Sequence, residues 1–274
     1  MFYQVFSPQP ALREFVNNIM IFRLDMPAIG KNPTVVLPPL GEQCLYFYPL
    51  ESPMSEYLDK EKIVKLPPSI LVGPQVNRVK LTMPFHSYTV KVGFQPGGLF
   101  RILGIPMNEM VVDESLDSVY FLDKEIQFIN EQLCELFDAK AIVHLVEGFL
   151  LKKAQQLRPS LPVDKVLSLV HQKGGLMTVE DIAENACVST RQLERLFQQR
   201  IGLQPRFFTR ITRFAKAWRL KENNPQIKWT SIAYDCGYFD QMHLIRDFKA
   251  FCGSSPSVME DEIKASSFTL GGQL

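Results

Sequence analysis

Apolar and polar positions along the chain follow two rhythms, and the change falls near residue 123. Before it, short apolar or aromatic runs at 35–37, 44–48, 70–72 and 88–94 are separated by segments rich in proline, glycine and charge. Runs of that length and spacing predict the strands of a small antiparallel sandwich or barrel. One early segment departs from this rhythm. Within 10–22, Leu12, Phe15, Val16 and Ile19 recur with helical period and predict a helix.

From Asp123 the period is 3.6. Ile126, Ile129, Leu133, Leu136 and Phe137 form one stripe, and Ile142, Leu145, Val146, Phe149 and Leu150 form another, with Asp138 placed between them as an N-cap. These predict two antiparallel helices over 123–157. The polar stretch 152–162 (KKAQQLRPSLP) carries two prolines and marks a boundary at 158–162 across which few contacts are expected. Residues 163–264 read as helical throughout, and 265–274 (ASSFTLGGQL) lack any period and read as a loose tail. The expected fold is α+β: a β-rich domain with a helical pair (1–157), then an all-α domain.

The helical part contains an internal repeat. Ile182-Ala183, Cys187-Val188, Leu193-x-Arg195-x-Phe197, Gly202 and Pro205 are matched by Ile232-Ala233, Gly237-Tyr238, Leu244-x-Arg246-x-Phe248, Gly253 and Pro256. The offset is 51 from Leu193 to Pro205 and 50 upstream, so the second turn is one residue longer. Each copy opens with a short amphipathic helix (178–186; 229–236) and breaks at Cys187-Val188 or Gly237-Tyr238. It resumes behind Ser189 or Asp240 as N-cap. That is the pattern of a helix-turn-helix. Leu193, Leu196 and Phe197, and likewise Leu244 and Phe248, are spaced to pack inward. The opposite faces hold Arg191, Glu194, Arg195 and Gln198 in the first copy, and Gln241, His243 and Arg246 in the second. Those residue types can pair with base edges: Arg with guanine, Gln with adenine, Glu with cytosine. A helix over 205–222 joins the copies. Phe207, Phe208, Ile211, Phe214, Ala215 and Trp218 lie on its buried face, and Arg206, Arg210, Arg213, Lys216 and Arg219 on its polar face.

Charge sharpens this picture. The overall balance of +1 divides into −2 for residues 1–159 and +3 for 160–274, and 191–228 alone carries ten basic residues against Glu194 and Glu222. Such a block is the footprint of a polyanion partner, although a solvated helix face has the same composition. At 274 residues, 46% hydrophobic and 22% charged, the chain has the composition of a globular protein of two domains. Its five cysteines show no C-x-x-C spacing, which argues against a disulfide scaffold or a structural zinc and fits a reducing, cytoplasmic setting. No signal peptide is visible, and no apolar run is long enough to span a membrane.

Other signals are weaker. Gly97-Gly98 lacks the spacing of a phosphate loop and reads as a turn. His86, His144, His171 and His243 share no ligand spacing, Cys44 reads as a small buried hydrophobe, and no G-x-S-x-G phrase occurs. Neither catalytic residues, metal nor cofactor is expected.

The segment IAENACVSTRQLERLFQQRIGLQPRFFTRITRFAKA and the longer IAYDCGYFDQMHLIRDFKAFCGSSP resemble the two motifs of AraC/XylS-type bacterial transcription regulators, over residues 161–259. Met242 stands where a serine is usual and Leu244 where a phenylalanine is usual. The resemblance implies a DNA-reading role for Arg191, Glu194, Arg195, Gln198, Gln241, His243 and Arg246. Looser similarity lies in Ser7-Pro8-x-x-Ala11-Leu12 and in Phe94-Gln95-Pro96-Gly97-Gly98-Leu99 with Leu103-Gly104-Ile105-Pro106. It implies a cupin-like barrel over about 1–120 that binds a small effector in residues not identifiable from sequence, and dimerising helices over 123–157. The implied partners are double-stranded DNA, a small molecule, a second copy of the chain and, for an activator, RNA polymerase. Two alternatives stand beside this reading: a regulator controlled by a protein partner, and a cupin-type enzyme fused to a DNA-binding domain.

Overall fold

Alternation within the strands decides the architecture. In the computed structural model, which describes residues 1–27, 30–57, 62–110, 114–122 and 124–266, ten strands form two antiparallel sheets. One sheet has six strands: β1 (Phe2–Phe6), β2 (Val16–Asp25), β4 (Cys44–Phe47), β7 (Ser69–Val72), β9 (His86–Phe94) and β10 (Ser115–Asp117), ordered β1-β2-β9-β4-β7-β10. The other contains β3 (Thr34–Leu37), β5 (Met54–Tyr57), β6 (Lys62–Lys65) and β8 (Val79–Thr82), ordered β3-β8-β5-β6. All four apolar runs named from sequence are strands. The segment 10–22 is not a helix. A single 3-10 turn covers Pro10–Leu12, and β2 begins at Val16. The reason is burial on both faces. Ile19 and Ile21 enter one core while Met20, Phe22 and Leu24 enter another, so the run is apolar without a visible two-residue period.

Helices cover the outer face of the six-stranded sheet. α1 (Gly98–Leu103) and α2 (Val119–Leu122) precede the pair α3 (Glu125–Glu135) and α4 (Ala139–Ala154). Ile126, Ile129, Leu133, Ile142, Val146, Phe149 and Leu150 pack against Ile19, Ile21, Leu45, Phe47, Val90 and Val92. Asp138 caps α4 by accepting from Ala141 N at 2.8 Å. Phe137 leaves the expected stripe. α3 stops at Glu135, and the Phe137 ring, 80% exposed, lies under the Arg23 guanidinium. Asp123 lies outside the described residues.

The remaining helices are α5 (Pro162–Gln172), α6 (Val179–Asn185), α7 (Thr190–Ile201), α8 (Pro205–Asn223), α9 (Trp229–Asp235), α10 (Gln241–Cys252) and α11 (Pro256–Lys264). They share one core built around Phe197, Phe214 and Phe248. Among the described residues no helix is long and apolar enough to cross a membrane. Of the tail, 267–274 lie outside the described residues, and Ser266 Oγ accepts from Val36 N at 3.3 Å.

More contacts join the two halves than the proline-containing 158–162 implies. Gly202, at the end of α7, approaches the 3-10 turn Met107–Glu109 so closely that a β-carbon would lie 2.9 Å from the Met107 carbonyl. Gln43 donates to the Ile201 carbonyl, and Arg78 reaches both the Phe251 carbonyl and the Glu262 carboxylate. Lys91 of β9 and Arg219 of α8 meet on one carboxylate, Glu42, at 3.0 and 2.5 Å.

Candidate nucleic-acid interface

The two helix-turn-helix units share their turn geometry and the caps of their second helices, whereas of the first helices only α6 has a side-chain cap. Thr178 and Asp181 cap α6 reciprocally, each side chain accepting from the other's backbone N–H. At the turns, Val188 N donates to the Ala183 carbonyl at 3.1 Å, and Tyr238 N to the Ala233 carbonyl at 2.9 Å. The chain reverses through positive φ in both units, at Gly237 (67°) and at Cys187 (52°). Glycine carries this conformation without strain, whereas Cys187 carries it against its β-carbon. Ser189 then accepts from Gln192 N at 3.2 Å, and Asp240 from His243 N at 2.8 Å, so both second helices are side-chain capped. Leu193, Leu196, Phe197, Leu244 and Phe248 are buried as their spacing predicts.

α8 holds the units together. Phe214 meets Phe248 edge-on at 4.9 Å between ring centres, and Phe208 meets Phe197 at 5.8 Å. Its arginines are largely engaged within the protein. Arg210 pairs with Asp247 at 2.7 Å, Arg213 lies over the Tyr238 ring, and Arg219 holds Glu42. Arg200 of α7 is buried against Asp164 at 2.7 Å and over the Phe100 ring. Burial raises the Tyr238 phenol well above its usual range, as does Asp247, to whose carboxylate it donates. Much of the basic block is therefore internal cement, and charge alone does not mark the outward surface.

The outward surface is elsewhere. Arg191, Glu194 and Arg195 on α7 are exposed and Gln198 is half-buried, all on the side of the helix away from Leu193 and Phe197. On α10, Gln241, His243 and Arg246 are exposed opposite Leu244 and Phe248. The fold thus presents each residue named from the motifs. Beside the second set, Arg206, Arg213, Phe239, His243 and Arg246 line one open groove.

A second polar feature escaped the sequence reading. Tyr46, Lys91 and Cys44 face the interior between the sheets, around a cavity of about 30 Å³ that continues toward Glu42 and Gln75. Burial would lower the Lys91 pKa, but Cys44, Glu42 and Tyr46 pull it well above its usual value, so the ammonium stays charged. Burial pushes the Cys44 thiol up to about 11. The available signal was the lysine inside the run Tyr88–Phe94 (YTVKVGF), which alternation places on the same face as Thr89.

Residues 182–261 match the family described as a helix-turn-helix domain. The HTH-type transcriptional regulator YfiF of Bacillus subtilis is 30% identical over 195 residues, which is 68% of this chain and 56% of that one. The arabinose operon regulatory protein of Escherichia coli is 24% identical over 123 residues, 42% of each chain. The chain spans about half, or less, of the length of the curated relatives it matches. A structure of ToxT from Vibrio cholerae superposes with a TM-score of 0.50 at 14% identity, covering 96% of this chain and 99% of that one, so the likeness of fold extends over both halves. Two capped helix-turn-helix units on one connecting helix thus lie within the residues, 182–261, that match the helix-turn-helix domain family.

Proposed function

We propose that the protein is a sequence-specific DNA-binding transcription regulator, with residues 163–264 reading DNA and residues 1–157 sensing a small effector. The observation that carries this reading is the duplication. Two units of the same local geometry, capped by Ser189 and Asp240, turn polar faces outward from a shared core. Arg191, Glu194, Arg195 and Gln198 would read one stretch of major groove, and Gln241, His243 and Arg246 another. As in other helix-turn-helix proteins, a dimer would engage paired half-sites, and an activator would in addition touch RNA polymerase. Most of the helical pair is occupied by its own sheet, which leaves exposed Phe128 as the centre of a dimer face there. Regulation without catalysis follows from the same reading.

Selection from a random duplex pool with the purified full-length protein tests it. A preferred sequence with paired half-sites is expected, and enrichment of no sequence refutes it. One observation favours a second reading, control by a protein partner. The cavity at Lys91 and its neighbour at Gln43 are each about 30 Å³, room for roughly one water, so within residues 1–157 a small molecule would have to use the larger clefts of about 150 Å³ beside Tyr57 and about 370 Å³ beside Asn130. Saturable binding of a small molecule to the full-length protein separates the two.

A further inference from the structure

The two outward helices, though built alike, carry different chemistry. With the offset of 51 that relates them, Arg191 and Glu194 of α7 correspond to Met242 and Ile245 of α10. Two charged positions have become apolar. The added residue of the second turn is Phe239, inserted between Tyr238, which corresponds to Val188 at an offset of 50, and the capping Asp240, which corresponds to Ser189. Its ring is 90% exposed and Met242 is 54% exposed, although both sit where the second unit presents His243 and Arg246. The backbone at this position is held by the cap of the helix that follows. Asp240 holds the first turn of α10, and the Phe239 ring lies edge-on to the His243 imidazole at 6.0 Å between centres.

Exposed apolar side chains beside an outward polar face ask for an apolar partner. In the major groove of B-DNA the apolar group is the thymine 5-methyl, and the first residues of a recognition helix are those that reach base edges. The groove that Phe239 shares is also lined by the exposed Arg206 and Arg246, which have the charge for a phosphate backbone, while Arg210 and Asp247 in the same lining pair with each other. We infer that Phe239 and Met242 read thymine methyl groups, so that the second helix-turn-helix unit selects its half of the site by shape and apolar contact, while the first selects by hydrogen bonds from Arg191, Glu194 and Arg195. This rests on the DNA-reading role proposed above.

The test uses the full-length protein and the site it selects from a random pool. Each thymine is replaced in turn by deoxyuridine, which lacks only the methyl group, and affinity is measured for the wild type, Phe239→Ala and Met242→Ser. One or two thymines at one end of the half-site should each lose about fourfold in wild-type affinity, the ~0.8 kcal/mol of one buried methyl. The variants should bind the thymine and deoxyuridine forms alike at the matching position, with the same dependence as the wild type elsewhere. Both side chains are exposed, so neither substitution removes core packing, and far-UV circular dichroism checks the helices. Absence of any methyl-sensitive thymine, or methyl sensitivity unchanged in both variants, overturns the inference. Unaltered DNA binding by both variants assigns the patch to a protein surface and likewise overturns it. A pool that yields no preferred sequence instead refutes the DNA-reading role, and with it this inference.

Discussion

Replacing Glu42 by glutamine removes the anion that Lys91 and Arg219 share. The Glu42 side chain is 14% exposed and that of Lys91 5%, so the pair lies in a poorly solvated seam between β9 and α8. Burial would raise the Glu42 pKa, but the attraction of Lys91 and then Arg219 outweighs it and holds the carboxyl at about 2. Against 4.5 for the unperturbed group, the difference corresponds to about 3 kcal/mol. A buried pair that loses one partner typically costs ~3–5 kcal/mol, so two separate routes give the same magnitude. Because the folded-state value is the lower one, this stability is complete above about pH 4.5 and disappears as pH falls toward 2. Glu42→Gln should therefore be about 3 kcal/mol less stable at pH 7, and should lose less than the wild type between pH 5 and pH 2. Urea unfolding at several pH values, followed by the fluorescence of Trp218 and Trp229 in the helical half, reports both effects. Adding Lys91→Met to Glu42→Gln should recover the part of the loss that comes from leaving the Lys91 ammonium buried without its anion, while Arg219 stays without its carboxylate. A loss below 1 kcal/mol at neutral pH, or an acid profile identical to the wild type, would show that the shared carboxylate does not join the halves.

Three further outcomes are expected. Arg195→Ala or Arg246→Ala should cost ~1–3 kcal/mol on the selected site and relax preference at one base pair, whereas Arg206→Ala should weaken all sequences alike and reduce the salt slope by about 0.9. Equal losses on selected and random DNA for Arg195→Ala would assign that side chain to phosphate. Gly237→Ala should destabilise by about 1–2 kcal/mol, because a β-carbon there would meet Leu176 Cδ2 at 2.6 Å in a backbone of φ 67°, while Cys187→Gly should be neutral or mildly stabilising. Thermal unfolding of the two variants checks the pair, and an unchanged Gly237→Ala melt would contradict it. A fragment of residues 159–266 should remain helical by circular dichroism and bind DNA, with log K falling against log salt at a slope of roughly −4.5 to −6 for ~5–7 phosphate contacts. An unfolded fragment would show that its core depends on the other half.

The helical half was legible because its signals are local. Caps at Ser189 and Asp240, glycines at 202 and 253 and the spacing of Leu193, Phe197, Leu244 and Phe248 each determine structure within a turn or two, and all were visible twice. The β half was legible only where one strand stood between clear breaks. β2 was misread because its two faces enter two different cores, and that depends on β9 and β8, which lie more than 50 residues away in sequence. Partner choice within the basic block was hidden for the same reason. Arg200 and Arg219 find their carboxylates on Asp164 and Glu42, 36 and 177 residues distant, and nothing in their immediate sequence separates them from Arg191 and Arg195.

These distant pairs bear on how an effector could act. The β half touches the helical half at the end of α7, through Gly202 and Met107, and toward the C-terminal end of α8, through Glu42 and Arg219. It also touches the end of α10 and α11, through Arg78 with the Phe251 carbonyl and Glu262. The two outward helices are therefore each held from behind, at the end opposite the residues proposed to read DNA. A change of shape in the β half that moves one contact by an ångström and not another alters the angle between α7 and α10, and hence the fit to two successive grooves. Of these contacts, the one at Glu42 borders the interior cavity and shares one carboxylate between the halves, so it is where a ligand could most directly change the balance. A ligand that binds both arrangements equally leaves the affinity for DNA where it was, however tightly it binds. Titrating DNA affinity at saturating ligand in Glu42→Gln and in the wild type distinguishes the routes: a response lost in the variant runs through the seam, and a response retained runs through α7 or α11.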